Sequence, residues 1–215
     1  MLGPNEFIVA QGERPFIMNR KTQQFNTIGG VVITALAALA FCCVCLVPVG
    51  SLLAEGNMAF KLTSTAFIDR NEIPVKYTCQ GADVSSPLHW EGIPEGTRSL
   101  VLIVDDPDAP DPKAPKMTWV HWVLYNIPPD TTGLAENISA AALPPGTGQG
   151  LNDWGRTGYG GPCPPIGRHR YFHKLYALDT VLPKMDKPTK EQVQAAMRDH
   201  IIAKTELIGT YQKIK

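Results

Sequence analysis

Ser99-Leu100-Val101-Leu102-Ile103-Val104 is apolar after its first residue, and it stops at Asp105-Asp106-Pro107-Asp108-Ala109-Pro110. A run rich in β-branched residues, closed by a Pro/Asp turn, predicts a central strand covered on both faces. A second run, Trp119 to Ile127, follows and ends at Pro128-Pro129. No helical pattern separates the two, so parallel βαβ winding is disfavoured. Tyr171 to Leu178 reads as a third strong strand, and Lys61–Phe67, Val75–Cys79, Leu88–Trp90 and Leu207–Tyr211 as weaker ones. Thr189-Lys190-Glu191-Gln192 matches a capping box, and Val193, Ala196, Met197 and Ile201 follow at helical spacing. One helix is therefore predicted from there to about Ala203. The 19 prolines and 19 glycines cluster between the apolar runs, as in loop-rich β structure. The expected class is mainly β: an antiparallel or mixed β-sandwich with a peripheral C-terminal helix.

Two domains are read, a leader at 1–57 and a globular domain at 58–215. Ile28 to Ala54 holds no charged residue and is long enough to cross a bilayer. Arg14, Arg20 and Lys21 precede it, which predicts a cytoplasmic N-terminus for an anchor. The segment 28–54 is thus a signal or anchor, placing the domain in an exported or membrane-anchored location (the periplasm in a Gram-negative cell). The alternative is a true start at Met58, which makes the domain cytoplasmic. Cys79 and Cys163 are the cysteines outside the apolar segment. They can pair in an oxidising compartment and stay free thiols in the cytosol. Acidic and basic residues balance at 20 each, so there is no basic field for nucleic acid.

Candidate site residues lie where strands meet Pro/Gly turns. Asp106 and Asp108 flank Pro107 at the end of the first strong run; both can equally be Asx-turn residues. His121 follows Trp119 at strand spacing. Strict alternation puts Trp119, His121 and Val123 on one face and Val120, Trp122 and Leu124 on the other. His169 and Tyr171 share a face and follow Gly161-Pro162-Cys163-Pro164-Pro165-Ile166-Gly167. The glycines there permit close backbone approach and positive φ, and free N–H groups of such a turn can cradle an anion. Two histidines that titrate near neutrality can donate to that anion when charged. His173 reads as core, and Arg168 and Arg170 as solvated.

These motifs, Asp106-Pro107-Asp108-Ala109-Pro110, Trp119-Val120-His121 and Gly161 through Tyr171, occur in the order found in the phosphatidylethanolamine-binding protein family. The chain resembles that family, in its bacterial Raf-kinase-inhibitor-like branch, from about Met58 to Gln212. The resemblance implies a β-sandwich whose pocket uses Asp106, Asp108, Pro110, Trp119, His121, Gly161, Pro162, Cys163, His169 and Tyr171. It implies binding of phosphate, acetate or a phosphoryl headgroup, a lipid's included. It further implies modulation of a partner kinase or protease, with no cofactor, no metal and no catalysis. Cys163 stands where many eukaryotic members carry proline.

Two enzyme readings compete. Asp106, His121 and His169 form a two-His-one-carboxylate set of a kind that binds metals. Alternatively, Cys163 serves as a nucleophile near His169 in a hydrolase.

Overall fold

The computed structural model describes residues 58–214. The leader at 1–57, with its charge-free stretch at 28–54, lies outside the described residues. Among those described, no helix is long and apolar enough to cross a membrane.

The strands are β1 (Lys61–Thr63), β2 (Leu88–Glu91), β3 (Ser99–Ala109), β4 (Met117–Ile127), β5 (Gly133–Leu134), β6 (Gly148–Gln149), β7 (His169–Leu178) and β8 (Ile201–Tyr211), with the helix α1 (Lys190–Met197) before the last. They form two sheets, β1-β2-β5 and β6-β4-β3-β7-β8, and every paired strand is antiparallel.

β3 lies at the centre of the larger sheet, and its two faces feed two cores. Leu100, Leu102 and Val104 pack with Trp122, Leu124, Leu175 and with Leu62, Leu88 and Trp90 of the smaller sheet. Val101 and Ile103 pack with Val123 and Tyr125 and with Val193 and Met197 of α1. This double cover is why the run contains no polar break. Each fully buried Leu, Ile or Val contributes about 1.5–3 kcal/mol relative to exposure.

Helix α1 starts as expected. The Thr189 hydroxyl accepts from the Gln192 N–H, and the Gln192 side chain accepts from the Thr189 N–H. It ends earlier than its periodicity predicts. After Met197 the chain makes one 3-10 turn, Arg198–His200, and Ile201 already pairs with Leu178 on β7. An open strand edge and the β-branched pair Ile201-Ile202 outweigh helical spacing there. Val75–Tyr77 is likewise a 3-10 turn and not a strand. Pro74 opens it, and the N–H and hydroxyl of Thr78 both donate back to the Val75 carbonyl. Lys61–Phe67 supplies only the three residues of β1. The loop-rich stretch 130–160 carries the short strands β5 and β6.

Candidate functional site

The site is made where β3 and β4 lose register. Val104 pairs with Trp122, but Asp105 pairs with Val120, so His121 is an extra residue on β4. Such a bulge re-aims a side chain. Strict alternation fails here: Val120 and Val123 both join the core under α1, while Trp122 and Leu124 join the core between the sheets. His121 therefore does not share a face with Val123. A second irregularity lies between Asp106↔Trp119 and Ala109↔Met117, around Pro107 and Asp108.

The result is a cavity of about 330 Å³. Asp106, His121 and His169 form its buried polar part. Trp119, Trp154, Met117 and Ala109, with Pro110, Cys163, Pro164 and Pro165, form the rest. Met117 and Trp154 remain 48% and 42% exposed, so the cavity opens on apolar side chains, and Ile166, next to the lining residue Pro165, is 56% exposed.

The polar groups are already committed to one another. His169 Nδ1 lies 2.6 Å from Asp106 Oδ2, and its Nε2 lies 3.0 Å from the Ile166 carbonyl. The other Asp106 oxygen accepts from the Asp108 N–H at 2.8 Å. Burial is the largest influence on Asp106 and pushes its carboxyl above the usual value, against the lowering effect of His169. His121 Nδ1 is 2.6 Å from the Gly160 carbonyl, which fixes that nitrogen as the N–H. Its Nε2 is buried without a partner. Burial pushes this imidazole down to about 4, so it is neutral at neutral pH. His121 is thus not the charged donor expected from its ordinary titration, and both ring nitrogens of His169 are already engaged.

The remaining candidates support the site from behind. Asp108 is held by three bonds from Arg170, two of them from the guanidinium at 2.9 and 2.7 Å, and these hold its carboxyl below the usual value. Arg170 is therefore a clamp and not merely solvated. Gly161 donates its N–H to Asp83, so that group is not available to an anion. A Cβ at Gly161 would meet Asp83 Oδ1 and the Tyr77 carbonyl, both at 2.5 Å, which is the close approach that requires glycine. Gly167 takes φ +73°. The Pro162 carbonyl accepts from the Cys79 N–H. Tyr171 lies edge-on to His121 at 5.2 Å, its hydroxyl buried and unpartnered. Asp108, Gly161, Pro162 and Tyr171 do not line the cavity.

Trp154 was not a candidate. It packs edge-on against both Trp119 (5.5 Å) and His121 (5.2 Å) and closes one wall. The only signal was an aromatic residue between Asp153 and Gly155 in a long loop.

Cys79 and Cys163 form a disulfide that ties the pocket loop to the 75–81 turn. Cys163 in this state has no thiolate, so it offers no nucleophile. The metal reading also finds no support in the donor set, because both nitrogens of His169 are engaged by Asp106 and Ile166. Removing the crosslink in Cys79→Ala/Cys163→Ala is expected to cost about 2–4 kcal/mol, the usual range for a native disulfide, with the 84-residue separation favouring the upper end. Urea unfolding with and without reductant checks this; equal midpoints contradict it.

The family described as phosphatidylethanolamine-binding protein matches residues 63–212. A UPF0098 protein of Methanothermobacter thermautotrophicus is 52% identical over 153 residues, covering 71% of this chain and 98% of that protein. A UPF0098 protein of Chlamydia trachomatis is 47% identical over 153 residues, covering 71% and 99%. Among solved structures, a phosphatidylethanolamine-binding protein homologue from Chlamydia trachomatis is 46% identical with TM-score 0.67, covering 73% of this chain and 99% of that one. Escherichia coli YbcL, described as a new member of the mammalian family, is 33% identical with TM-score 0.65, covering 72% and 99%.

Proposed function

The chain belongs to the phosphatidylethanolamine-binding protein family, and from that premise we propose that its pocket holds a small oxyacid group without transforming it. The group is a phosphate, an acetate or the phosphoryl headgroup of a larger ligand. One observation carries this reading. The titratable side chains lining the cavity, Asp106, His121 and His169, sit together at its buried end, while two tryptophans, a methionine and prolines make the rest. That is the build of a receptor for a molecule with one polar tip and an apolar body.

The rim is stiff, since Pro110, Pro164 and Pro165 have fixed φ. A stiff rim suits recognition more than a reaction needing lid closure. The exposed apolar side chains of Met117 and Trp154 on the cavity, with Ile166 next to the lining residue Pro165, support a second part of the reading, that a larger partner is engaged there. A kinase or protease modulated by occupancy of the pocket fits this role. The Cys79–Cys163 bridge and the charge-free segment at 28–54 together support an exported or anchored location.

Trp119 and Trp154 line the cavity, so titration with phenyl phosphate is expected to change tryptophan fluorescence and to saturate. Trp154→Ala removes the edge contacts to His121 and Trp119. It is expected to weaken binding by about 0.5–1.5 kcal/mol, roughly two- to twelvefold. Assayed against ester, phosphoester and peptide substrates, with and without divalent metal, the protein is expected to turn none over. Turnover that disappears in Asp106→Ala would overturn the binding reading.

A further inference from the structure

The buried end of the cavity is short of donors for an anion. Asp106 and His169 are hydrogen-bonded to each other at 2.6 Å, so neither is free for a ligand. The Nε2 of His169 is spent on the Ile166 carbonyl at 3.0 Å. His121 gives its one N–H to the Gly160 carbonyl at 2.6 Å and keeps a bare lone pair on Nε2, in a side chain 2% exposed on the cavity wall and without a partner. A buried acceptor with no donor opposite is costly to leave unsatisfied. A hydrogen-bearing atom satisfies it, and a ligand can bring one.

From this geometry we infer that the pocket takes a phosphomonoester together with one proton, held between a phosphoryl oxygen and Nε2 of His121. The ligand class is then the singly protonated oxyacid and not the bare dianion. This deepens the oxyacid reading and rests on it. Above the second ionisation of a phosphoester, near pH ~6, binding takes one proton from solvent for each ligand bound. No bond of the ligand is made or broken apart from that to the proton.

Other groups around the ring do not substitute for it. Asp106 and His169 are paired to each other. Tyr171 meets the ring edge-on from β7 and burial keeps its hydroxyl protonated, but that hydroxyl makes no hydrogen bond, to Nε2 of His121 or to any other group. His173, also on β7, has its charged form disfavoured by burial and disfavours charge on His121 in turn. Asp105 favours charge on His121, but its one carboxylate is paired with two ammonium groups, Lys174 and Lys190, so that cluster as a whole is not negative. The neutral state of His121 follows from burial, with the Gly160 bond acting against it.

The test is calorimetry of the full-length protein with phenyl phosphate in two buffers of different ionisation enthalpy. At pH 8 the expected result is one proton taken up per ligand, with affinity falling about tenfold per pH unit above ~7, as one linked proton requires. Nitrogen-15 NMR of the histidines gives an independent readout in the unaltered protein. The His121 Nε2 signal is expected to move from the unprotonated toward the protonated position on binding. His121→Gln can donate an amide N–H but cannot take up a proton, so its uptake and its pH slope are expected to vanish. Tight binding at pH 8 without proton uptake overturns the inference, as does uptake that leaves the His121 Nε2 signal unmoved. Absence of binding at both pH 6 and pH 8 instead overturns the oxyacid reading itself.

Discussion

Acidification from pH 7 to pH 4 is expected to destabilise the folded domain by several kcal/mol, about 6 at most. The cause is a pair of buried neutral imidazoles. His121 and His173 are 2% and 3% exposed, and burial pushes each from the ordinary 6.5 to about 4. In the unfolded chain both take a proton near 6.5, whereas the native state resists until about 4. Between those values the unfolded state binds more protons, so stability falls as pH falls and is fully present above the unfolded value. Each displacement corresponds to about 3 kcal/mol at 1.36 kcal/mol per unit, against a typical total stability of about 5–15 kcal/mol. Asp106 works in the opposite direction, because its native carboxyl binds a proton more readily than an unfolded one and so favours the native state in acid. Asp108 adds to the loss at the lowest pH, because its native value is depressed by Arg170. Urea midpoints measured across this range check the sign. His173→Leu replaces a ring whose Nδ1 has no partner and which packs on Phe67 at 5.5 Å, and it is expected to flatten the acid limb by about half. A stability that does not change between pH 7 and pH 4 would show that these rings are not held neutral.

Asp105→Ala is expected to cost about 3–5 kcal/mol, the range for breaking a buried ion pair from one side. Asp105 is fully buried and receives Lys174 Nζ at 2.6 and 2.9 Å and Lys190 Nζ at 2.7 Å. Lys174 comes from β7 and Lys190 opens α1, so this carboxylate pins the helix to the outer face of the sheet. The two lysine side chains are 20% and 11% exposed, so their ammonium groups regain some hydration once unpaired, and the cost should fall toward the lower end. The triple variant Asp105→Leu, Lys174→Met, Lys190→Met removes all three charges and is expected to recover most of the loss. A loss below about 1 kcal/mol in Asp105→Ala, in denaturant unfolding, would mean the cluster is effectively solvated.

Asp105 also shows where reading the chain stops. The run Ser99–Val104 and the Asp/Pro stretch after it identify a doubly covered strand and its end, because burial on both faces demands an unbroken apolar sequence. They do not say that Asp105 faces the helix side and Asp106 the cavity, since that depends on the strand's register with β4. The bulge at His121 is equally invisible in sequence. Period-2 alternation is a property of regular strands, and the extra residue exists only relative to the partner. Alternation therefore misassigned His121 to a shared face with Val123.

Local rules sufficed wherever the determining contacts lay within a few residues. The capping box at Thr189 and Gln192, the Gly/Pro turn before β7 and the shared face of His169 and Tyr171 are of that kind. The three motifs in order were enough to identify the family. What only the tertiary structure decided was set by partners distant along the chain. The β8 edge pairing converted Ile201–Ala203 from expected helix to strand. The Arg170 clamp turned Asp108 from a candidate ligand into a brace. Trp154 reached the cavity from a loop that carries no pattern of its own. The hydrogen-bond partners of the two site histidines decided which ring nitrogen stays open, because an imidazole's protonation and tautomer follow from what surrounds it and not from its place in a motif.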